Sequence, residues 1–289
     1  PNVVLCDGVY DDAYAKAVEI QKNEGRPFIH PFNDEDVIAG QGTIGLEILD
    51  SLEGVDAVIV PVGGGGLISG VACAVKNLRP DIKVYGVQAA GSASMFESRR
   101  AGEAITLETA ATFADGIAVK HPGDITYQMV NQYVDDIVTV SEDEIAAAIL
   151  ALLEKQKVIA EGAGAVSTAA VLFDKLPVRG KKVVSIVSGG NIDVNILSRV
   201  ITRGLVTSGR NVNLTIALTD KPGQLQDASE IIASSGGNVV AVYHDRSDAN
   251  MAITSCYLKL GLETRDFEQI QLIESELTKA GFHLVSERV

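Results

Sequence analysis

The stretch that most constrains this chain is an apolar run, Val58-Ile59-Val60-Pro61-Val62, that ends in Gly63-Gly64-Gly65-Gly66 and passes into a helix-like segment, Leu67 to Leu78. Fixing a glycine costs about 0.5–1 kcal/mol relative to alanine, so four in succession imply a need for bare backbone. A strand that feeds a glycine loop at a helix start presents unpaired N–H groups and the positive end of the helix dipole, which suits a phosphate. The competing reading is a permissive strand-to-helix turn. One or two glycines suffice for a turn, which favours the phosphate.

Such a ligand finds little positive charge in the chain at large, whose formal net charge is −14. That balance argues against nucleic acid or an anionic membrane as partner and leaves backbone as the source of local positive potential. At 289 residues, 46% hydrophobic and 21% charged, the chain is long enough for two domains with a sizeable core. No apolar run approaches the roughly 20 residues needed to span a bilayer. The start, Pro1-Asn2-Val3-Val4, has neither the basic region nor the cleavage site of a signal peptide. Cys6, Cys73 and Cys256 are odd in number and lack CxxC spacing, which predicts buried thiols in a reducing cytoplasm. His30, His121, His244 and His283 show no HxxxH or HxH pairing, so no zinc site is expected.

Along the chain, Val3-Val4-Leu5 reads as a short strand and Asp11 to Glu24 as a helix. Thr43, after Gly40-Gln41-Gly42, can cap a helix Ile44–Leu52. His30 precedes Pro31 and is read as structural. Val84–Val87 is a second buried strand, so strand, helix and strand form a βαβ unit with a parallel sheet. Gln88 to His121 reads as irregular, with Asp115 as a turn former beside Gly116. Ile137–Val140 is a strand, and Ser141 with Glu144 forms a capping box for the next helix. Glu161-Gly162-Ala163-Gly164-Ala165 interrupts a helical pattern that resumes to Leu172. Glu161 is therefore either partnered inside a site or exposed at a helix start. Lys182–Val187 is another parallel strand, ending in Ser188-Gly189-Gly190-Asn191 before a helix Asp193–Arg203. Ligands of open α/β sheets sit at such carboxyl ends, and here there are two glycine loops. Gly204–Asn211 reads as a boundary. Beyond it strands at Val212–Leu218, Val239–Tyr243, Met251–Leu260 and Phe282–Val285, with helices around Leu225–Ile232 and Phe267–Leu277, give a ferredoxin-like βαββαβ order.

The segments Gly40-Gln41-Gly42-Thr43, Gly63 to Leu67, Ala114-Asp115-Gly116, Glu161 to Ala165 and Ser188-Gly189-Gly190-Asn191 resemble, in order and context, those of threonine dehydratases (threonine ammonia-lyases) of the pyridoxal-phosphate type II fold. The tail, with Asp220-Lys221-Pro222-Gly223-Gln224-Leu225, resembles an ACT regulatory domain. The resemblance covers essentially the whole chain, and jointly its motifs are specific. It implies an incomplete α/β parallel-sheet catalytic domain over residues 1–208 and an ACT-type domain over 209–289. It also implies pyridoxal 5'-phosphate as cofactor, held at its phosphate by Gly63, Gly64, Gly65, Gly66 and Leu67. Ser188 matches the hydroxyl at the pyridine nitrogen, and Glu161 an acidic position close to the cofactor in serine racemases. Asp115 lies in a loop near the site and receives no role. Gln88 and Ser94 stand where some racemase relatives bind a divalent cation through carboxylates, so no metal is expected there. Asp220, Gly223, Gln224, Leu225 and Asn238 match where amino-acid effectors bind, usually between two such domains.

The family's Schiff-base lysine, in a Ser-Phe-Lys-x-Arg motif, and its Ser-x-Gly-Asn-His segment do not occur in this sequence. On the order of 100 residues of the family's chain would precede the point where the resemblance begins. The expectation is a C-terminal piece of a cytoplasmic, homo-oligomeric dehydratase that eliminates water from L-threonine and L-serine, and that is inactive by itself. Serine racemase, another type II enzyme, or a non-catalytic amino-acid-binding regulatory module are the alternatives.

Overall fold

The structure, a computed structural model, describes residues 2–7, 10–247 and 252–285. The chain divides into two compact units, Pro1–Val194 and Asn195–Val289. The first is built on a parallel sheet of β1 (Ala57–Pro61), β2 (Lys83–Ala89), β3 (Asp136–Val140) and β4 (Val183–Ser185), in the order β3-β2-β1-β4. Strand β1 is central, with Val58 opposite Val84 on one side and Val184 on the other. All five of its residues are buried, as the unbroken apolar run requires of a strand covered on both faces. Val58, Val60 and Val62 lie in one cluster with Ile68, Val71 and Val75 of α3 (Gly66–Leu78). The opposite face is crossed by α7 (Gly162–Leu172), which touches all four strands and packs on α6 (Glu142–Ala151). The Ser141–Glu144 capping box that starts α6 is formed in both directions.

Three expectations fail for physical reasons. Val3-Val4-Leu5 forms no strand; its side chains are 55–91% exposed and it has no sheet neighbour among the described residues. Thr43 caps nothing. Helix α2 runs from Glu35 to Ser51 and is capped by Asp34, whose carboxylate accepts from the amides of Asp36 and Val37. Gly40, Gly42 and Gly45 therefore sit inside a helix, against their propensity. Close packing is the reason at Gly42 and Gly45, though not at Gly40: a Cβ on Gly42 would lie 3.2 Å from the Gly70 carbonyl oxygen, one on Gly45 3.0 Å from that of Val71, and one on Gly70 would fall inside contact distance of the Ile38 carbonyl oxygen. Two helices thus meet backbone to backbone. Third, the stretch after β2 is not irregular throughout, for it holds α4 (Ser94–Ala101), stopped by Gly102 in the left-handed region. Helices α1 (Tyr10–Glu24) and α5 (Asp124–Tyr133) complete this unit.

Helix α8 (Val194–Thr207) carries the chain into the second unit, and runs four residues beyond the expected Arg203. That unit has β5 (Asn211–Thr219), α9 (Gln224–Ser234), β6 (Asn238–Asp245), β7 (Ser255–Glu263), α10 (Phe267–Lys279) and β8 (His283–Val285), in the sheet order β6-β7-β5-β8. Met251, placed in a strand by its sequence, lies outside the described residues. Burial along β7 alternates strictly, and Cys256, Leu258, Leu260 and Leu262 face Ile232 of α9 and Ile273 and Leu277 of α10. Of the cysteines only Cys256 is fully buried; Cys73 is half-buried and Cys6 exposed, which corrects the expectation of three buried thiols.

Two measurements test this packing. Gly70→Ala forces α2 and α3 apart and lowers stability by about 1–3 kcal/mol in urea unfolding, whereas Gly40→Ala, with nothing within 4 Å, raises it by about 0.5–1 kcal/mol. Equal effects would contradict the backbone contact. Asp135 holds β2, accepting from Lys83 Nζ and the Val84 amide at 2.8 Å and pairing with Lys76 Nζ at 2.6 Å. Burial alone raises its pKa, but Lys76 and Lys83 together hold the carboxyl below the usual range. A depressed carboxylate contributes fully above its unfolded value of about 3.9 and loses that contribution as the pH falls through the folded value. Asp135→Asn therefore costs roughly 1.5–3 kcal/mol at pH 7, and the difference from wild type narrows as the pH falls below about 3.9.

Candidate active site

The loop Gly63–Gly65 and the first turn of α3 are shaped from outside by three neighbours. Phe32 lies against Gly64 and Gly66, so that a Cβ on Gly66 would come within 2.9 Å of the Phe32 Cα. Gly65 has φ +99° and backs onto Met95 and Thr126, while a Cβ on Gly63 would lie 3.1 Å from the Ile117 Cα. The Thr126 hydroxyl sits 2.6 Å from the Gly64 carbonyl oxygen and 3.0 Å from that of Gly123. The Gly123 amide also donates to Gly64. These bonds tie down the Gly64 carbonyl and leave the loop's donors alone. Among the described residues no acceptor is found for the amides of Gly63, Gly64, Gly65, Gly66 or Leu67. Orphan amides at a helix start that follows the carboxyl end of a buried strand are an anion site in waiting.

The second loop converges on the same place. β1 and β4 are parallel neighbours, so the loops that leave them open at one end of the sheet. Ser188 and Gly189 line a cavity of about 460 Å³ together with Gly63 to Leu67, Phe32, Asp115 to Val119, Glu161 and Ala163. Packing explains the glycines of α7: a Cβ on Gly164 would overlap the Ser188 carbonyl oxygen, and one on Gly162 would lie 2.9 Å from the Ala114 Cα. Glu161 takes the first of the two places its sequence left open, half-buried and partnered beside the cavity. It occupies the N-cap position of α7 without capping it, and its carboxylate is partnered, accepting from the Asn191 amide at 3.1 Å. The Glu161 amide in turn donates to the Gly189 carbonyl at 3.3 Å. The carboxylate also lies against Gly189, at φ +86°, and near Gly116. It therefore joins the Asp115–Ile117 turn to the Ser188–Asn191 loop. Asp115 accepts from the Gly116 amide at 2.9 Å, as a turn former does.

The donor set fits a phosphorylated, ring-bearing ligand. Carboxylates at Asp115 and Glu161 line the cavity and, among the described residues, no Lys, Arg or His does, so attraction for a phosphate has to come from the amides and the dipole of α3. Ser188 offers one neutral hydroxyl. Asp115, Gly116 and Ala163 fall in segments the sequence had singled out, whereas Phe32, Ile117, Ala118 and Val119 are lining residues that no local motif marked. His30 shapes that wall: its Nδ1 accepts from the amides of Phe32 and Asn33 at 3.3 and 2.9 Å, as a neutral imidazole, and burial lowers its pKa against the pull of Asp34.

Elsewhere, Gln88 is fully buried and its side chain accepts from the Phe96 amide at 2.8 Å, which fixes the start of α4. In the second unit Gly223, at φ +96°, precedes Gln224 and Leu225 at the start of α9, and Asp220 pairs with Arg246. Asn238 does not join them. It is aligned with Glu263 and Thr219 with Ser255, eight residues apart along β7, or about 27 Å at strand rise. Within one copy the five residues form no common site.

Residues 1–189 match the family described as pyridoxal-phosphate dependent enzyme. The chain is 51% identical over 283 residues to an L-threonine ammonia-lyase of Thermotoga maritima, covering 98% of this chain and 70% of that protein. The processed form of threonine deaminase isoform 2 from Solanum lycopersicum superposes with a TM-score of 0.65 at 40% identity, covering 69% of this chain and 59% of that one. Maize serine racemase gives 0.64 at 34% identity, over 71% and 64%. With its two strand-end loops around one cavity, the chain belongs to the pyridoxal-phosphate-dependent enzymes and, within them, to the threonine ammonia-lyases.

Proposed function

We propose that this chain is part of a threonine dehydratase, in which L-threonine loses its α-proton and β-hydroxyl and is hydrolysed to 2-oxobutyrate and ammonia, with L-serine as a second substrate. The observation that carries the reading is the set of five unpaired amides, Gly63 to Leu67, opening into the same cavity as Ser188. When bound, pyridoxal phosphate supplies an electron sink for charge developing at the substrate's α-carbon. The amides of Gly63 to Leu67 orient it by its phosphate. The Ser188 hydroxyl would hold the ring nitrogen and, being neutral, would not keep that nitrogen protonated by charge as a carboxylate would. Glu161 positions the Ser188 loop from beneath through the Asn191 amide. The proton transfer at the α-carbon needs a base, and among the described residues no Lys or His lines the cavity to act as one.

The regulatory part of the proposal rests on the second unit. Its βαββαβ order and the glycine turn before α9 support an ACT-type domain over residues 209–289, with 1–208 belonging to the catalytic domain. An amino-acid effector would touch Asp220, Gly223, Gln224 and Leu225 of one copy and Asn238 of another. That separation favours a homo-oligomer, and free Cys6 and Cys73 fit a reducing cytoplasm. Likeness to maize serine racemase keeps racemisation as the second reading, which chiral analysis of the product distinguishes.

Calorimetry tests the cradle. Pyridoxal 5'-phosphate binds at least tenfold more tightly than pyridoxal, and Ser188→Ala weakens the former two- to tenfold, the worth of one hydrogen bond, without changing the affinity for inorganic phosphate. Equal binding of the two vitamers would contradict it. The 289-residue chain mixed with L-threonine and pyridoxal phosphate releases 2-oxobutyrate no faster than free pyridoxal phosphate does. Release at an enzymic rate refutes the need for a lysine from elsewhere.

A further inference from the structure

Spacing in the sequence argues against zinc, yet strand pairing in the second unit assembles a ligand set that spacing cannot reveal. Cys256 lies on β7, between β5 and β6. Leu218 is its partner across β5, and His244 on β6 stands opposite Leu258. Asp220, just past β5, continues the same ladder through its amide bond to the Thr254 carbonyl. With a side-chain period of two, Asp220, His244 and Cys256 share one face at one end of the sheet. One ligand atom of each lies within 4.8 Å of the others, and His244 Nε2 is 3.1 Å from Cys256 Sγ.

We propose that Asp220, His244 and Cys256 form a site for a single zinc-like divalent cation, separate from the cofactor cavity and independent of the dehydratase reading. A tetrahedral ion bound at about 2.0–2.3 Å holds its ligand atoms roughly 3.3–3.8 Å apart, so the three groups need to shift by no more than about an ångström. Thiolate, imidazole and carboxylate together select zinc over magnesium or calcium. Three protein ligands leave a fourth position for water or a small ligand. Burial and the charge of Asp220 push the Cys256 thiol up, with Arg246 opposing, so the sulfur is protonated without an ion. Binding exchanges that proton for the cation and releases it to solvent, and affinity therefore rises with pH. Arg246 now engages both Asp220 oxygens, at 2.9 and 3.1 Å, from an exposed position, and yields one of them to the ion. The bound ion ties β5, β6 and β7 together at the end of the sheet that carries the α9 turn.

The experiment uses the full chain, stripped with a chelator and free of pyridoxal phosphate, titrated with zinc against a coloured competitor and, separately, with cobalt(II) as a spectroscopic probe. One zinc per chain is expected, together with a thiolate-to-cobalt charge-transfer band. Cys256→Ser abolishes the band. His244→Ala, at an exposed position that leaves folding intact by circular dichroism, weakens zinc at least tenfold. Cys6→Ser and Cys73→Ser leave both signals unchanged. No binding up to millimolar zinc, or binding and a cobalt band that survive His244→Ala and Cys256→Ser, overturns the proposal.

Discussion

Five backbone amides that have no acceptor among the described residues, at the point where β1 becomes α3, are the constraint on which the catalytic unit depends. Leaving buried donors unpaired costs free energy of about 1–3 kcal/mol each, so the loop is worth keeping only if something outside the protein accepts from them. Its surroundings spare the donors. Thr126 and Gly123 hold the Gly64 carbonyl. Phe32, turned by His30, lies along Gly64 and Gly66. The glycines are therefore bare twice over, once for the ligand's approach and once because neighbours occupy the space where Cβ atoms would stand.

The parallel sheet converts this local device into a site. Because β1 and β4 run side by side in the same sense, the Gly63–Leu67 loop and Ser188 open on one cavity, with no Lys, Arg or His among the described residues lining it. Glu161 supplies the connection underneath, from the first residue before α7 to the Asn191 amide. In a chain of net charge −14, attraction for an anionic cofactor is confined to oriented dipoles, which act at short range and do not draw polyanions to the rest of the surface.

What could be seen in the sequence was whatever depends on near neighbours along the chain. The run into β1, the four glycines, the Ser141–Glu144 box and the alternation along β7 all state their structure locally. Gly42 and Gly70 did not, because they are glycines for the sake of each other's backbone in adjacent helices. Thr43 read as a cap because Gly40 and Gly42 look like a loop; tertiary packing overrode propensity. Phe32 and Ile117 entered the cavity wall from segments with no local mark of function. The Asp220, His244 and Cys256 cluster is the plainest case, since its members are adjacent only after three strands have paired.

The central claim concerns amides, and amides can be observed one at a time. In a ¹⁵N-labelled, deuterated sample titrated with pyridoxal 5'-phosphate, the resonances of Gly63 to Leu67 should shift furthest, that of Asn191 less, and those of β5 to β8 not at all. Shifts spread over the second unit, or a Gly63–Leu67 loop that does not respond to saturating ligand, would contradict the account.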